Sequence, residues 1–194
     1  MSKAVERLQT ILNQQGSNLK VDGILGPNTK KAIDKLNIPL YLKIALKEIG
    51  TQEITGPKHN KQILKYHSVA GGFTKDEVPW CGSFIAWVML QAGYNIVKYP
   101  ARALSWLKFG IHTDEPVIGS IAVKTRRGGG HVCIIVGTTK NGRLLCIGGN
   151  QSNEVNISLY NKNAFIDFRL PLNTSKQKLN TFVLSAKTTI IKES

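Results

Sequence analysis

The stretch from Glu77 to Leu90 constrains this chain more than any other. An irregular, proline-marked lead-in through Val78 and Pro79 runs into Trp80 and Cys81. An almost uninterrupted apolar run then follows from Gly82 to Ala92. The run predicts a helix, and Gly93 supplies its stop signal. Apolar residues around the whole circumference mean burial on nearly all sides. At about 11 residues the helix is too short to cross a bilayer. Cys81 then heads a buried helix, where unpaired backbone N–H groups and the helix dipole favour a thiolate and a nearby imidazolium favours it further. The same N–H groups suit a developing oxyanion. The alternative is a cysteine that serves only as a small buried apolar residue.

The 194 residues suffice for one good core and a small appendage. With 26 basic and 12 acidic residues the formal charge is +14. That charge implies a polyanionic partner: nucleic acid, an anionic membrane surface or a cell wall. The basic residues are scattered and no nucleic-acid-binding motif accompanies them, which argues against nucleic acid. Three cysteines without close pairing do not make a disulfide framework, and four scattered histidines do not suggest a metal centre. No metal or cofactor is expected. The N-terminus is polar and helical and lacks the apolar core of a signal peptide. No membrane-spanning segment is visible, and stable membrane insertion is not expected. Synthesis in the cytoplasm, with exit by another route, is the expectation.

Along the chain, Val5, Leu8, Ile11 and Leu12 predict a helix over 4–15, ended by Gly16. Asp22-Gly23 marks a turn, and Gly26-Pro27 opens a second helix reaching Leu36. Leu8, Gln9, Leu12, Gly16, Val21, Asp22, Gly23, Gly26, Thr29, Ala32 and Ile33 resemble one half of a peptidoglycan-binding helical module. The module's usual third helix is not evident. The alternative is a helical cap packed on the main domain. After the linker Asn37-Ile38-Pro39, helices are predicted over 40–49, 60–67 and 101–109. The run Thr125 to Gly130 is basic and glycine-rich. It lacks both the Gly-Lys-Ser/Thr ending and the following helix of a phosphate loop, and reads as a mobile hairpin turn.

Strands follow: 121–124, 131–137, 143–150, 155–159 and 165–170. Asn141-Gly142 predicts a two-residue hairpin turn between the second and third. Thr181 to Leu184 and Thr188 to Ile191 are candidate edge strands in a Lys-, Thr- and Ser-rich tail. Helices first and an antiparallel sheet afterwards predict an α+β fold. Three regions follow: a helical module over 1–38, a main α+β domain over 39–175 and a basic tail over 176–194.

A two-residue turn pairs Lys140 with Arg143. Cys133 then faces Asn150 and His131 faces Ser152. His131 and Asn150 become diagonal neighbours on one face, about 7 to 8 Å apart. With Cys81 they form a Cys-His-Asn arrangement for nucleophilic catalysis. His131 takes the thiol proton, Asn150 fixes the imidazole, and the Cys81 N–H serves the oxyanion. His59 and His67 are expected on a solvated helix face. Cys133 and Cys146 are expected in the core.

Pro79-Trp80-Cys81, Gly130-His131-Val132 and Gly148-Gly149-Asn150-Gln151, in that order, resemble the CHAP-like, papain-fold peptidoglycan hydrolases common in phage lysins. Glu48, Gly50, Ala101-Arg102, Gly119-Ser120, Val155-Asn156, Arg169 and Pro171 extend the likeness over about residues 40–171. The resemblance implies a cysteine amidase or endopeptidase that cleaves the peptide part of bacterial peptidoglycan after release to the wall, and a monomer is expected. It implies Cys81, His131 and Asn150 as catalytic residues, with Trp80, Gly149 and Gln151 at substrate-binding positions. A non-lytic wall binder and a papain-like protease or transamidase acting on proteins are the alternatives.

Overall fold

The computed structural model describes residues 1–172, 174, 176 and 178–182. Five α-helices come first: α1 (Lys3–Gln14), α2 (Pro27–Lys35), α3 (Leu40–Leu46), α4 (Lys61–Ser68) and α5 (Cys81–Gln91). A 3₁₀ turn (Ala103–Lys108) replaces the α-helix expected over 101–109. Then come β1 (Ile111–His112), β2 (Ile121–Arg126), β3 (Gly129–Thr139), β4 (Leu144–Gly148), β5 (Asn156–Tyr160), β6 (Asp167–Leu170) and β7 (Thr181–Phe182). The sheet order is β1-β6-β2-β3-β4-β5, all neighbours antiparallel. The fold is α+β, as its helix-then-sheet order predicts.

Because β2 begins at Ile121, opposite Ile134, the later part of the long β3 has a free edge there, and β7 fills it in parallel through Thr138 and Thr139. The candidate strand over 181–184 is thus realised at Thr181 and Phe182. Val183, Leu184 and the second candidate, Thr188 to Ile191, lie outside the described residues.

Period-2 patterning divides β3 between two cores. Val132, Ile134 and Val136 join α5 in the main apolar cluster, whereas Cys133 and Ile135 face a smaller one with Tyr160, Phe165 and Phe168. Both Cys133 and Cys146 are buried, as expected.

The β3–β4 register differs from expectation by two residues. The turn contains three residues, Lys140 to Gly142: the Thr139 N–H donates to the Arg143 carbonyl at 2.9 Å, and Gly142 takes φ 76°. The Thr139 hydroxyl bonds Asn141 Oδ1 at 2.6 Å, which holds the asparagine inside this wider loop. That moves the register by one. Val136 then bulges out between the Ile135–Cys146 and Gly137–Leu145 pairs and moves it by another. The last pair is Ile134–Ile147 and β4 ends at Gly148, so Asn150 lies beyond the strand rather than opposite Cys133.

The N-terminal helices are packed into the domain. Val5, Leu8, Ile11 and Leu12 of α1 and Ile33 of α2 belong to the same core as Leu42, Phe84 and Ile157. The buried Arg7 guanidinium donates to the Ile157 carbonyl of β5, and the Ser2 hydroxyl to Glu154 at 3.1 Å. Within the pair, Gln9 accepts from the Asp22 and Gly23 N–H groups at 3.0 Å and donates to Asp22 Oδ1 at 2.9 Å. The motif residues Gln9, Asp22 and Gly23 are therefore engaged in closing the turn between the two helices.

Candidate active site

Cys81 is the first residue of α5, and the first intrahelical bond there runs from the Phe84 N–H to the Trp80 carbonyl. The backbone N–H of Cys81 precedes that bond and is placed for an anion. Close packing fixes this helix end. A Cβ on Gly82 would lie 2.4 Å from the Pro100 carbonyl oxygen and 2.5 Å from that of Ala101. Both are backbone atoms, so Gly82→Ala must displace the 100–101 segment or the helix. We expect a loss of about 1–3 kcal/mol, read as a lowered unfolding midpoint in denaturant.

His131, on β3 and 1 % exposed, hydrogen-bonds Cys81 through its side chain. Burial alone pushes the Cys81 thiol up. The His131 hydrogen bond and charge outweigh it, with help from the Val132 N–H and the Arg126 charge, and hold the thiol below its ordinary value. Burial alone also disfavours an imidazolium, but the bonds to Cys133 and Cys81 prevail and push His131 up to about 10. Around neutral pH this favours a thiolate beside an imidazolium. Cys133 differs: burial and the neighbouring Cys146 raise its thiol well above the ordinary value, so it stays protonated.

The partner of His131 Nε2 is Gln151, through Oε1 at 3.1 Å. The amide is held from several sides. Its NH₂ donates to the Asn156 carbonyl at 2.7 Å and to Asn156 Oδ1 at 3.1 Å, while Oε1 also accepts from the Tyr160 hydroxyl at 2.8 Å. Oε1 is therefore the atom that faces the imidazole, and an amide oxygen only accepts. Nε2 must carry its proton, leaving Nδ1 to exchange one with the thiol. Tyr160 also lies near-parallel to the imidazole, centroids 6.1 Å apart.

The expected orienter, Asn150, instead occupies a turn with φ 54°, followed by Ser152 and Asn153 at φ 55° and 62°. Left-handed backbone at three non-glycine positions is uncommon, and asparagine tolerates it best. The segment is braced from outside: Glu53 N–H donates to the Asn153 carbonyl and Val155 N–H to the Thr51 carbonyl. This sharp turn brings Gln151 back beneath His131.

The three expected substrate-binding residues are buried. Trp80 is fully buried, stacks on Tyr66 and donates its indole N–H to Glu53 at 2.7 Å. Gly149 packs against it: a Cβ there would lie 2.6 Å from the indole ring. Gln151 is likewise inaccessible. These residues hold the site from below and do not line its cleft. That cleft, of about 280 Å³, is lined by Cys81, Arg102, Leu104, Arg126 and the glycines after it. The hairpin of β2 and β3 pairs Arg126 with Gly129, so the basic glycine-rich run forms one cleft wall.

Of the other histidines, His67 departs from expectation. It is fully buried where α4 meets α5, its Nδ1 3.1 Å from the Ser83 hydroxyl. The helix is polar in composition, but this position faces inward. His59 meets the buried Asp76 at 2.9 Å, and the exposed His112 meets Asp167 at 2.6 Å. Among the described residues no group of three or more His, Cys, Asp or Glu side chains is placed to hold a metal ion. None of the described helices is long and apolar enough to cross a membrane.

Residues 73–150 match the CHAP domain family. The matched span contains Cys81 and His131 and ends one residue before Gln151. CHAP domains are typically cysteine- and histidine-dependent amidohydrolases or peptidases, and the match supports a CHAP-like hydrolase domain of amidase or peptidase type. No curated protein and no solved structure matches the chain significantly.

Proposed function

We propose that this protein is an endolysin-type peptidoglycan hydrolase, acting as a monomer on the bacterial wall after release from the cell that makes it. The observation that carries the reading is the Cys81–His131 hydrogen bond at the head of a buried helix, inside a span matching CHAP domains. The formal +14 charge suits an anionic wall. In the proposed mechanism the Cys81 thiolate attacks the carbonyl carbon of a peptide-stem amide. The oxyanion is received at the α5 N-terminus, where the Cys81 N–H donates. The C–N bond breaks as the His131 imidazolium gives its proton to the leaving amine, and a thioester remains. Water then attacks the thioester while His131 takes its proton. The products are a carboxylate and the regenerated thiolate. Gln151 keeps the ring in register through both steps.

Digestion of purified sacculi followed by mass spectrometry of the fragments tests this. A new N-terminus on the first stem residue identifies an amidase, and one on a later residue an endopeptidase. Intact sacculi alongside cleaved casein would replace the reading with a protease acting on proteins.

The pH profile follows from the pair. The reactive form needs a deprotonated thiol and a protonated imidazole. Activity is therefore lost toward acid as the thiolate gains a proton, at a pH below the ordinary thiol range. It is lost toward base as the imidazolium deprotonates, near pH 10. A kcat/KM profile with its acid limb at the ordinary thiol value would contradict the ion-pair assignment.

A further inference from the structure

Two arginines line the cleft that holds Cys81. Arg102 belongs to the turn before the 3₁₀ segment, and Arg126 ends β2. Both are exposed, and among the described residues no carboxylate pairs with either. Arg126 is close enough for its charge to favour the Cys81 thiolate. Of the other arginines, Arg7 and Arg143 donate to backbone carbonyls, Arg169 pairs with Asp167, and exposed Arg127 is not among the residues lining the cleft. Two guanidiniums without a carboxylate partner in one small cleft make it favourable to an anion. The planar fork matches a carboxylate, which it can bind through two parallel hydrogen bonds. Leu104 supplies the apolar contact beside them.

We propose that Arg102 and Arg126 form a carboxylate-recognition subsite, which makes the preferred substrate a peptide with a free carboxylate next to the scissile amide. The proposal deepens the hydrolase reading and rests on it for the substrate. It differs from general wall attraction, because the selected group is a single carboxylate within reach of the nucleophile.

Two experiments test it. The first compares synthetic stem peptides differing only by carboxylate or carboxamide beside the cleaved bond, at fixed ionic strength. The native protein should favour the carboxylate by about tenfold or more in kcat/KM, and Arg102→Gln should remove most of that preference. Arg126→Lys, which keeps the charge and loses the fork, should reduce it part-way. Equal cleavage of the two peptides overturns the proposal.

The second needs no hydrolysis. Iodoacetate and iodoacetamide alkylate the same thiol and differ by one carboxylate, and the modified peptide containing Cys81 is mapped by mass. The iodoacetate-to-iodoacetamide rate ratio should exceed that of free cysteine by about tenfold and fall in Arg102→Gln. A ratio equal to that of free cysteine, unchanged by the substitution, overturns the subsite. A raised ratio in a protein that cleaves no peptidoglycan supports the subsite and defeats the hydrolase reading.

Discussion

Cys81→Ala is expected to lower peptidoglycan cleavage by about 10⁵-fold and to leave the fold intact. Removing a nucleophile removes the covalent step, and what remains is the small advantage of binding and of the oxyanion site. The fold should survive because alanine is smaller, apolar and accepted at the first turn of a helix, and α5 is held by Gly82 and Phe84 rather than by the thiol. Cys81→Ser should be nearly as inactive. The site favours an anion on sulfur, and a hydroxyl is far harder to ionise at the same position. Turbidity clearing of sacculi gives the rate, and far-UV circular dichroism on melting reports the fold. Clearing by Cys81→Ala within tenfold of native would remove the cysteine mechanism altogether.

The second large effect belongs to Gln151. Its amide bonds His131, Tyr160 and Asn156 in a buried setting. Gln151→Ala leaves those groups without their partner and frees the imidazole to turn. We expect about 10³-fold less activity, by analogy with loss of an orienting residue in a catalytic triad, and about 2–4 kcal/mol less stability. Gln151→Glu is the informative companion. It keeps an acceptor toward Nε2 but loses the NH₂ that bonds Asn156, so it should recover catalysis per folded molecule better than stability. Asn150→Gly, which eases the φ 54° backbone, should lose less than tenfold if Asn150 shapes the turn. The reverse order, with Asn150→Gly inert and Gln151→Ala active, would restore the asparagine as orienter.

Much of this was legible in the sequence because it depends on local signals. The apolar run after Cys81, the Gly93 stop and the helix-then-sheet order are written in periodicity and punctuation. Cys81 and His131 stand out because a helix N-terminus favours a thiolate and a histidine can take its proton. The hydrogen-bond partner of His131 was not legible. Its position depends on adding two single-residue shifts, a third residue in the Asn141 turn and a bulge at Val136, to a motif in which Asn150 and Gln151 are adjacent. A reading that treats the hairpin as ideal selects the wrong neighbour. Trp80 was misread for a related reason. The resemblance puts Trp80 at a substrate-binding position, but its burial depends on Tyr66 and Glu53, which are distant in sequence. Arg126 was visible only as part of a basic, glycine-rich run. Its role needs the hairpin that folds the run over the cleft.

The attachment of α1 bears on how such an enzyme can be re-engineered. Ser2 reaches Glu154, and Arg7 reaches Ile157, on either side of Val155, a few residues after Gln151. The amino-terminal helices thus buttress the turn that aims the imidazole, and they contribute side chains to the common interior. Replacing residues 1–38, as one would in building a chimaera, would strip apolar cover from α3 and β5 and loosen the turn that holds His131. New specificity is better appended than exchanged.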